Sequence, residues 1–190
     1  MKKILVIDNY DSFTYNLVHY IEKLTGVKPA VFRNDEISLD AAGNYDKILI
    51  SPGPGIPREA GICIDLIKRY SPEKSILGIC LGLQAIGESF GAGLENLSEV
   101  YHGIASKITV IDEDDQLFKG IPPSFNAGRY HSWIVSRKNI PDCLKITCID
   151  DNNMIMGMRH KDYDVRGLQF HPESVLTEFG YDIIRNWVEL

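Results

Sequence analysis

The sequence predicts an α/β fold: a doubly wound, mostly parallel sheet flanked by helices, with additional antiparallel strands in its second half. Three observations carry this. Apolar runs alternate with helix-period segments through the first half of the chain. One of those junctions is Gly78-Ile79-Cys80-Leu81-Gly82, a strand–turn–helix signature with a nucleophile at its centre. After Gly91-Ala92-Gly93 the pattern changes to short β-rich runs separated by turn residues.

The elements follow in order. Ile4 to Ile7 is a first core strand. Ser12 is placed to cap a helix whose stripe is Phe13, Leu17, Ile21 and Leu24, and Gly26 ends it. Pro29 to Arg33 and Lys47 to Ile50 are strands, and Ile62 to Tyr70 is a helix with Ile62, Leu66 and Ile67 on one face. Ile76 to Ile79 is the strand feeding the Cys80 turn, and Leu83 to Phe90 the helix leaving it. The later runs are Ser106 to Ile111, Phe125 to Tyr130, Ile134 to Val135, Leu144 to Ile149, Met154 to Arg159 and Val165 to Phe170. Asp150-Asp151-Asn152-Asn153 and His160-Lys161-Asp162 read as hairpin turns, so these strands either extend the main sheet or form an antiparallel flap. Tyr181 to Leu190 closes the chain as a helix.

With 190 residues and no linker, repeat or low-complexity stretch, the chain is expected to be one domain spanning 1–190. A net charge of −6 without a basic run argues against a nucleic-acid surface. No apolar stretch reaches membrane-spanning length, and the N-terminus has no signal-peptide profile. Cys63, Cys80, Cys143 and Cys148 are scattered, with no Cys-x-x-Cys or Cys/His cluster, so neither a metal nor any other cofactor is expected. A cytoplasmic chain with reduced thiols fits this usage.

The chemistry concentrates at three places. Gly78 and Gly82 let two backbone arms meet closely, and Cys80 then stands at a helix N-terminus, where free N–H groups favour the thiolate that attacks. A buried structural cysteine is the alternative. In Gly167-Leu168-Gln169-Phe170-His171-Pro172-Glu173-Ser174, residues 171 and 173 project to the same side of an extended chain. Glu173 can then hold one imidazole nitrogen of His171 while the other faces Cys80, giving thiol, base and orienting carboxylate. A strand-end histidine and a solvated loop charge are the alternatives. In Ser51-Pro52-Gly53-Pro54-Gly55-Ile56-Pro57, a rigid loop at a strand's carboxyl end can aim a backbone N–H. The N–H groups of Gly55 and Leu81 are the candidate oxyanion donors, and a stiff surface turn is the alternative.

On these residues the chain resembles the class I (triad) glutamine amidotransferases, from about residue 8 to residue 174. Within them it is similar to the glutaminase subunit (component II) of anthranilate synthase or aminodeoxychorismate synthase. Asp8-Asn9-Tyr10-Asp11-Ser12-Phe13-Thr14-Tyr15-Asn16-Leu17, Pro52-Gly53-Pro54-Gly55, His102-Gly103, Arg129-Tyr130-His131-Ser132 and the His171 segment carry the match. The resemblance implies Cys80, His171 and Glu173 as the triad. It also implies L-glutamine contacts from Gly53, Pro54, Gly55 and Gln84 and from the backbone of Ser132 and Trp133. Leu83 and Trp133 depart from the pattern, which usually has histidine and leucine there; neither departure touches the triad.

Among the other histidines, His131 is a rival base but lacks a following carboxylate. His102 belongs to a partner-facing or plain loop, His19 to a solvated helix face, and His160 to a turn. The chain shows no acceptor-activating motif, so ammonia released from glutamine needs a partner. By resemblance that partner is a chorismate-binding synthase subunit (component I), making anthranilate for tryptophan or aminodeoxychorismate for folate. The remaining alternatives are a γ-glutamyl hydrolase and a non-catalytic regulatory protein.

Overall fold

The computed structural model describes residues 2–190. Strand β1 (Ile4–Asp8) shows how the layers form. Side chains alternate along a strand. Ile4 and Val6 therefore join a core with Leu17, Val18 and Ile21 of helix α1 (Thr14–Thr25) and with Ile183, Ile184 and Trp187 of helix α5 (Gly180–Glu189). Leu5 and Ile7 join a second core on the opposite face. Helices α2 (Leu39–Ala42), α3 (Cys63–Tyr70) and α4 (Leu81–Ser89) supply Ala42, Leu66, Ile67, Ala85 and Ile86 to it.

The main sheet has nine strands in the order β2-β1-β3-β4-β11-β10-β9-β6-β7. β2 (Ala30–Arg33), β1, β3 (Lys47–Ile50), β4 (Ser75–Ile79) and β11 (Val165–Leu168) pair in parallel. β10 (Ile155–His160), β9 (Leu144–Asp150), β6 (Ile104–Val110) and β7 (Ser124–Arg129) continue the sheet antiparallel. β5 (Leu94–Asn96) and β8 (Trp133–Val135) form a separate two-stranded ribbon. Both expected uses of the later strands are therefore realised: most extend the sheet, and one pair stands apart. The doubly wound α/β reading holds, and the turns at 150–153 and 160–162 do join antiparallel neighbours.

Three local readings are corrected. Ser12 does not cap α1, whose first residue is Thr14. The preceding loop turns at Tyr10 (φ 61°), and the Asp11 carboxylate accepts from Phe13 N–H at 2.8 Å while Thr14 Oγ1 donates to Asp8. This is an Asx-type turn that competes with an N-cap. Helix α4 starts at Leu81, two residues earlier than its apolar pattern suggests, because the turn before it is a single residue. His160 is no plain turn residue. It is buried and stacks on Tyr163 at 4.2 Å, and its Nδ1 accepts from the Asp162 and Tyr163 N–H groups.

Parallel pairing places the ends of β1, β3, β4 and β11 at one edge, the edge from which loops in such sheets build sites. Gly26 closes α1 in the left-handed conformation (φ 72°). Lys47, buried at the opposite edge, donates to the Trp187 carbonyl at 2.7 Å and so ties β3 to the end of α5. Burial lowers its pKa to about 8.

Candidate active site

Only Cys80 lies between β4 and α4, and it takes φ 53°, ψ −101°, a region that side-chain-bearing residues rarely adopt. Two backbone bonds hold it there: Cys80 N–H to Leu168 O at 2.7 Å, and Gln84 N–H to Cys80 O at 3.2 Å. The flanking glycines are needed for the reason their spacing suggests. A Cβ on Gly82 would lie 2.6 Å from Ile50 O, and a Cβ on Gly78 would overlap the Gly82 backbone.

β11 runs beside β4 with Leu168 opposite Ile79, so the chain after β11 emerges next to Cys80. The strand ends earlier than its apolar run, and His171 sits in the loop beyond it. There its N–H donates to Gly128 O at 3.0 Å and its carbonyl accepts from Thr177 Oγ1 at 2.6 Å. His171 Nδ1 and Glu173 Oε1 are 2.6 Å apart and both side chains are buried. With an ionised Glu173, Nδ1–H is the donor, and Nε2 is the nitrogen left for Cys80. Nε2 makes no well-aligned hydrogen bond, yet the sulfur is near enough to act on the ring. Burial pushes the His171 pKa down, while Cys80 and Glu173 push it up more strongly, to about 10.

Cys80 opens into a cleft of about 250 Å³. It is lined by Gly53, Pro54 and Gly55 from the loop after β3, by Cys80 and Gln84 from the elbow (the floor), and by Ser132 and Trp133 from the segment entering β8 (the strap). Gly55 is left-handed (φ 75°), and Leu81 N–H belongs to the first turn of α4, where no helical carbonyl precedes it. The Leu81 side chain points elsewhere, into a neighbouring cavity shared with Asn9 and Pro54. Of the predicted residues, Leu81, His171 and Glu173 are not part of the cleft lining: His171 stands beside Cys80 with Glu173 bonded to it, and Leu81 follows Cys80 in the chain.

The family model for class-I glutamine amidotransferase matches residues 5–190. The chain belongs to that family. The amidotransferase is 49% identical to anthranilate synthase component 2 of Pyropia yezoensis, with 98% of each chain covered. It is 45% identical to anthranilate synthase component 2 of Thermus thermophilus, covering 98% of this chain and 92% of that one. Among solved structures, a GMP synthase component from Thermoplasma acidophilum superposes with a TM-score of 0.87 at 28% identity, covering 100% of this chain and 93% of that one.

Behind the strap the amidotransferase carries a buried polar cluster that sequence reasoning missed. Arg129 donates to Asp150 at 2.7 Å in an ion pair whose side chains are 1% and 2% exposed. It also donates through Nε to His131 Nε2 at 3.1 Å and lies 3.6 Å over the Tyr101 ring. Because His131 Nε2 accepts from a guanidinium, the ring is neutral and poorly suited to act as a base. Burial, then the Arg129 charge, lowers its pKa to about 3. The Ser132 and Trp133 carbonyls already accept from Leu97 N–H (2.7 Å) and Gln84 Nε2 (2.9 Å).

His102 is exposed at the cleft mouth, edge-on to Tyr130. His19 is 72% exposed on α1. Leu83 is core, packed on Gly167, and Trp133 is a half-buried wall residue. Gln169, fully buried and donating to Cys80 Sγ at 3.5 Å, is a second residue that sequence reasoning missed. Its signal was an amide inside the apolar run Leu168-Gln169-Phe170. Among the described residues no helix is long and apolar enough to cross a membrane, and all four cysteines are unpaired.

Proposed function

We propose that this amidotransferase hydrolyses L-glutamine to glutamate and ammonia through Cys80, His171 and Glu173, and passes the ammonia to a chorismate-binding synthase subunit that makes anthranilate for tryptophan synthesis. The observation that carries the chemistry is the 2.6 Å His171–Glu173 contact next to a nucleophile held at φ 53°. Cys80 Sγ attacks the side-chain amide carbon, and the oxyanion forms between the Gly55 and Leu81 N–H groups, a donor pair whose members are each worth about 10²–10³ in rate. His171 takes the proton of the Cys80 thiol as the sulfur attacks, and the resulting imidazolium, held by Glu173, gives that proton to the departing ammonia. That leaves a γ-glutamyl thioester. Water, activated by the now neutral His171, releases glutamate and restores the thiol. Gly53, Pro54, Gln84, Ser132 and Trp133 orient the α-amino and α-carboxylate groups of the substrate.

The reading of the partner rests on the component 2 relatives, which match over nearly their whole length at 45–49% identity, against 28% for the GMP synthase relative. The test is labelling by a glutamine-analogue electrophile with and without free glutamine, located by peptide mass spectrometry. Glutamine-suppressed modification at Cys80 is the expected result. Modification that glutamine does not suppress would remove glutamine as the substrate.

A further inference from the structure

We propose that Gln169 is a positioning residue that couples the nucleophile to the substrate-recognition floor: Gln84, anchored on Trp133 O, orients the Gln169 amide so that it presents a fixed N–H donor to the Cys80 sulfur. The inference rests on the reading of Cys80 as nucleophile and Gln84 as a glutamine contact.

The geometry is a two-amide relay with one anchored end. Trp133 O accepts from Gln84 Nε2 at 2.9 Å. The same Nε2 also donates to Gln169 Oε1 at 3.3 Å, and Gln169 Nε2 donates to Cys80 Sγ at 3.5 Å. A backbone carbonyl can only accept, so it dictates the polarity of everything beyond it. Flipping the Gln84 amide would set its oxygen against the Trp133 carbonyl. Flipping Gln169 would set two N–H groups face to face at Gln84 and a carbonyl oxygen against the sulfur. The Trp133 carbonyl itself is fixed because Trp133 begins β8, where it pairs with Asn96.

Two consequences follow from that polarity. First, the sulfur always meets an N–H donor, and a hydrogen bond to an ionised acceptor is among the stronger ones, so the relay favours the thiolate. Gln169 is fully buried, and its side-chain amide is bonded at both ends, accepting from Gln84 Nε2 and donating to the Cys80 sulfur. Second, both acceptors of Gln84 Nε2 lie on the protein side, which leaves Gln84 Oε1 as the amide atom offered to the cleft that Gln84 lines. An acceptor in that position suits the α-ammonium of an amino-acid substrate.

The experiment measures the pH dependence of Cys80 alkylation by iodoacetamide in the full chain, with glutamine protection as a control, for wild type, Gln169→Met and Gln169→Glu. Methionine keeps the length and removes both polar ends. Glutamate keeps the acceptor for Gln84 and removes the donor to sulfur. In both variants the alkylation midpoint is expected to rise by about one pH unit. Glutamine protection should be largely kept in both variants, because the Trp133 carbonyl still orients the Gln84 amide. An unchanged midpoint in folded variants would overturn the inference while leaving the glutaminase reading intact. Wild-type alkylation that glutamine does not suppress would sink that reading instead. In wild-type protein, the Gln169 side-chain amide resonance should titrate together with Cys80; an amide that stays still would overturn the inference without any variant.

Discussion

The two halves of the sheet build the site in different ways. The parallel half presents it through backbone: the single-residue turn at Cys80, the left-handed Gly55 and the first N–H of α4. The antiparallel half, together with the ribbon beside it, supports the site through buried side chains: Arg129 and Asp150 behind the strap, with His131 between them and the cleft. His171 and Glu173 come from the seam, in the loop after β11, the strand that is parallel to β4 and antiparallel to β10. Reactive groups thus sit where strand ends converge, and the charges that hold the walls in place sit inside the sheet.

The largest effect separating the halves should come from the nucleophile. Cys80→Ala is expected to lower glutamine hydrolysis by about 10⁴-fold or more, with little change in unfolding free energy and with ammonia-dependent synthesis by the partner retained. Retained glutaminase activity would overturn the assignment. The antiparallel half should respond the other way round. Asp150→Asn leaves a buried guanidinium without its counter-charge, which costs about 3–5 kcal/mol. The exposed Arg69–Asp40 pair, with side chains 50% and 83% exposed, is the internal control. Asp40→Asn should change urea-unfolding stability by about 1 kcal/mol or less. Equal effects of the two substitutions would erase the distinction between the halves.

The sharpest comparison lies in two histidines with opposite signs. The folded-state pKa of His171, near 10, lies above the unfolded value of about 6.5. Its contribution to stability is therefore complete below about pH 6.5 and lost as pH rises toward 10. That of His131, near 3, lies below the unfolded value, so its contribution is complete above about pH 6.5 and lost as pH falls toward 3. Urea unfolding across this range should show that His171→Gln flattens the alkaline limb and His131→Gln the acid limb. Effects on the same limb would mean that the two rings share one environment.

The parallel half is readable in the sequence because its devices are local. Lys47 to Ile50 is a strand end to end as read, Gly26 stops α1 where a glycine should, and Gly78 and Gly82 bracket the turn they make possible. Turn chemistry and close approach leave marks on neighbouring residues. The supporting cluster leaves none: Arg129 and Asp150 are ordinary strand residues until β6, β7 and β9 are assembled, and only then do they meet. The four-residue α2 and three-residue β5 are too short to carry a periodic signal. Ser12 has the chemistry of a cap but not the role, because Asp11, its neighbour, takes the N–H that decides the turn.

The pairing of β4 with β11 also sets an order of events during synthesis. A ribosome delivers Cys80 and its turn well before it delivers residues 165–173, yet those residues carry the parallel neighbour of β4 and His171, the proposed base. Until then the elbow has an open strand edge on that side and a sulfur with neither imidazole nor the Gln169 amide beside it. A nascent chain therefore carries Cys80 before it carries the proposed base His171 and its partner Glu173. β11, the last strand in chain order, is the one that brings the His171 loop to the elbow.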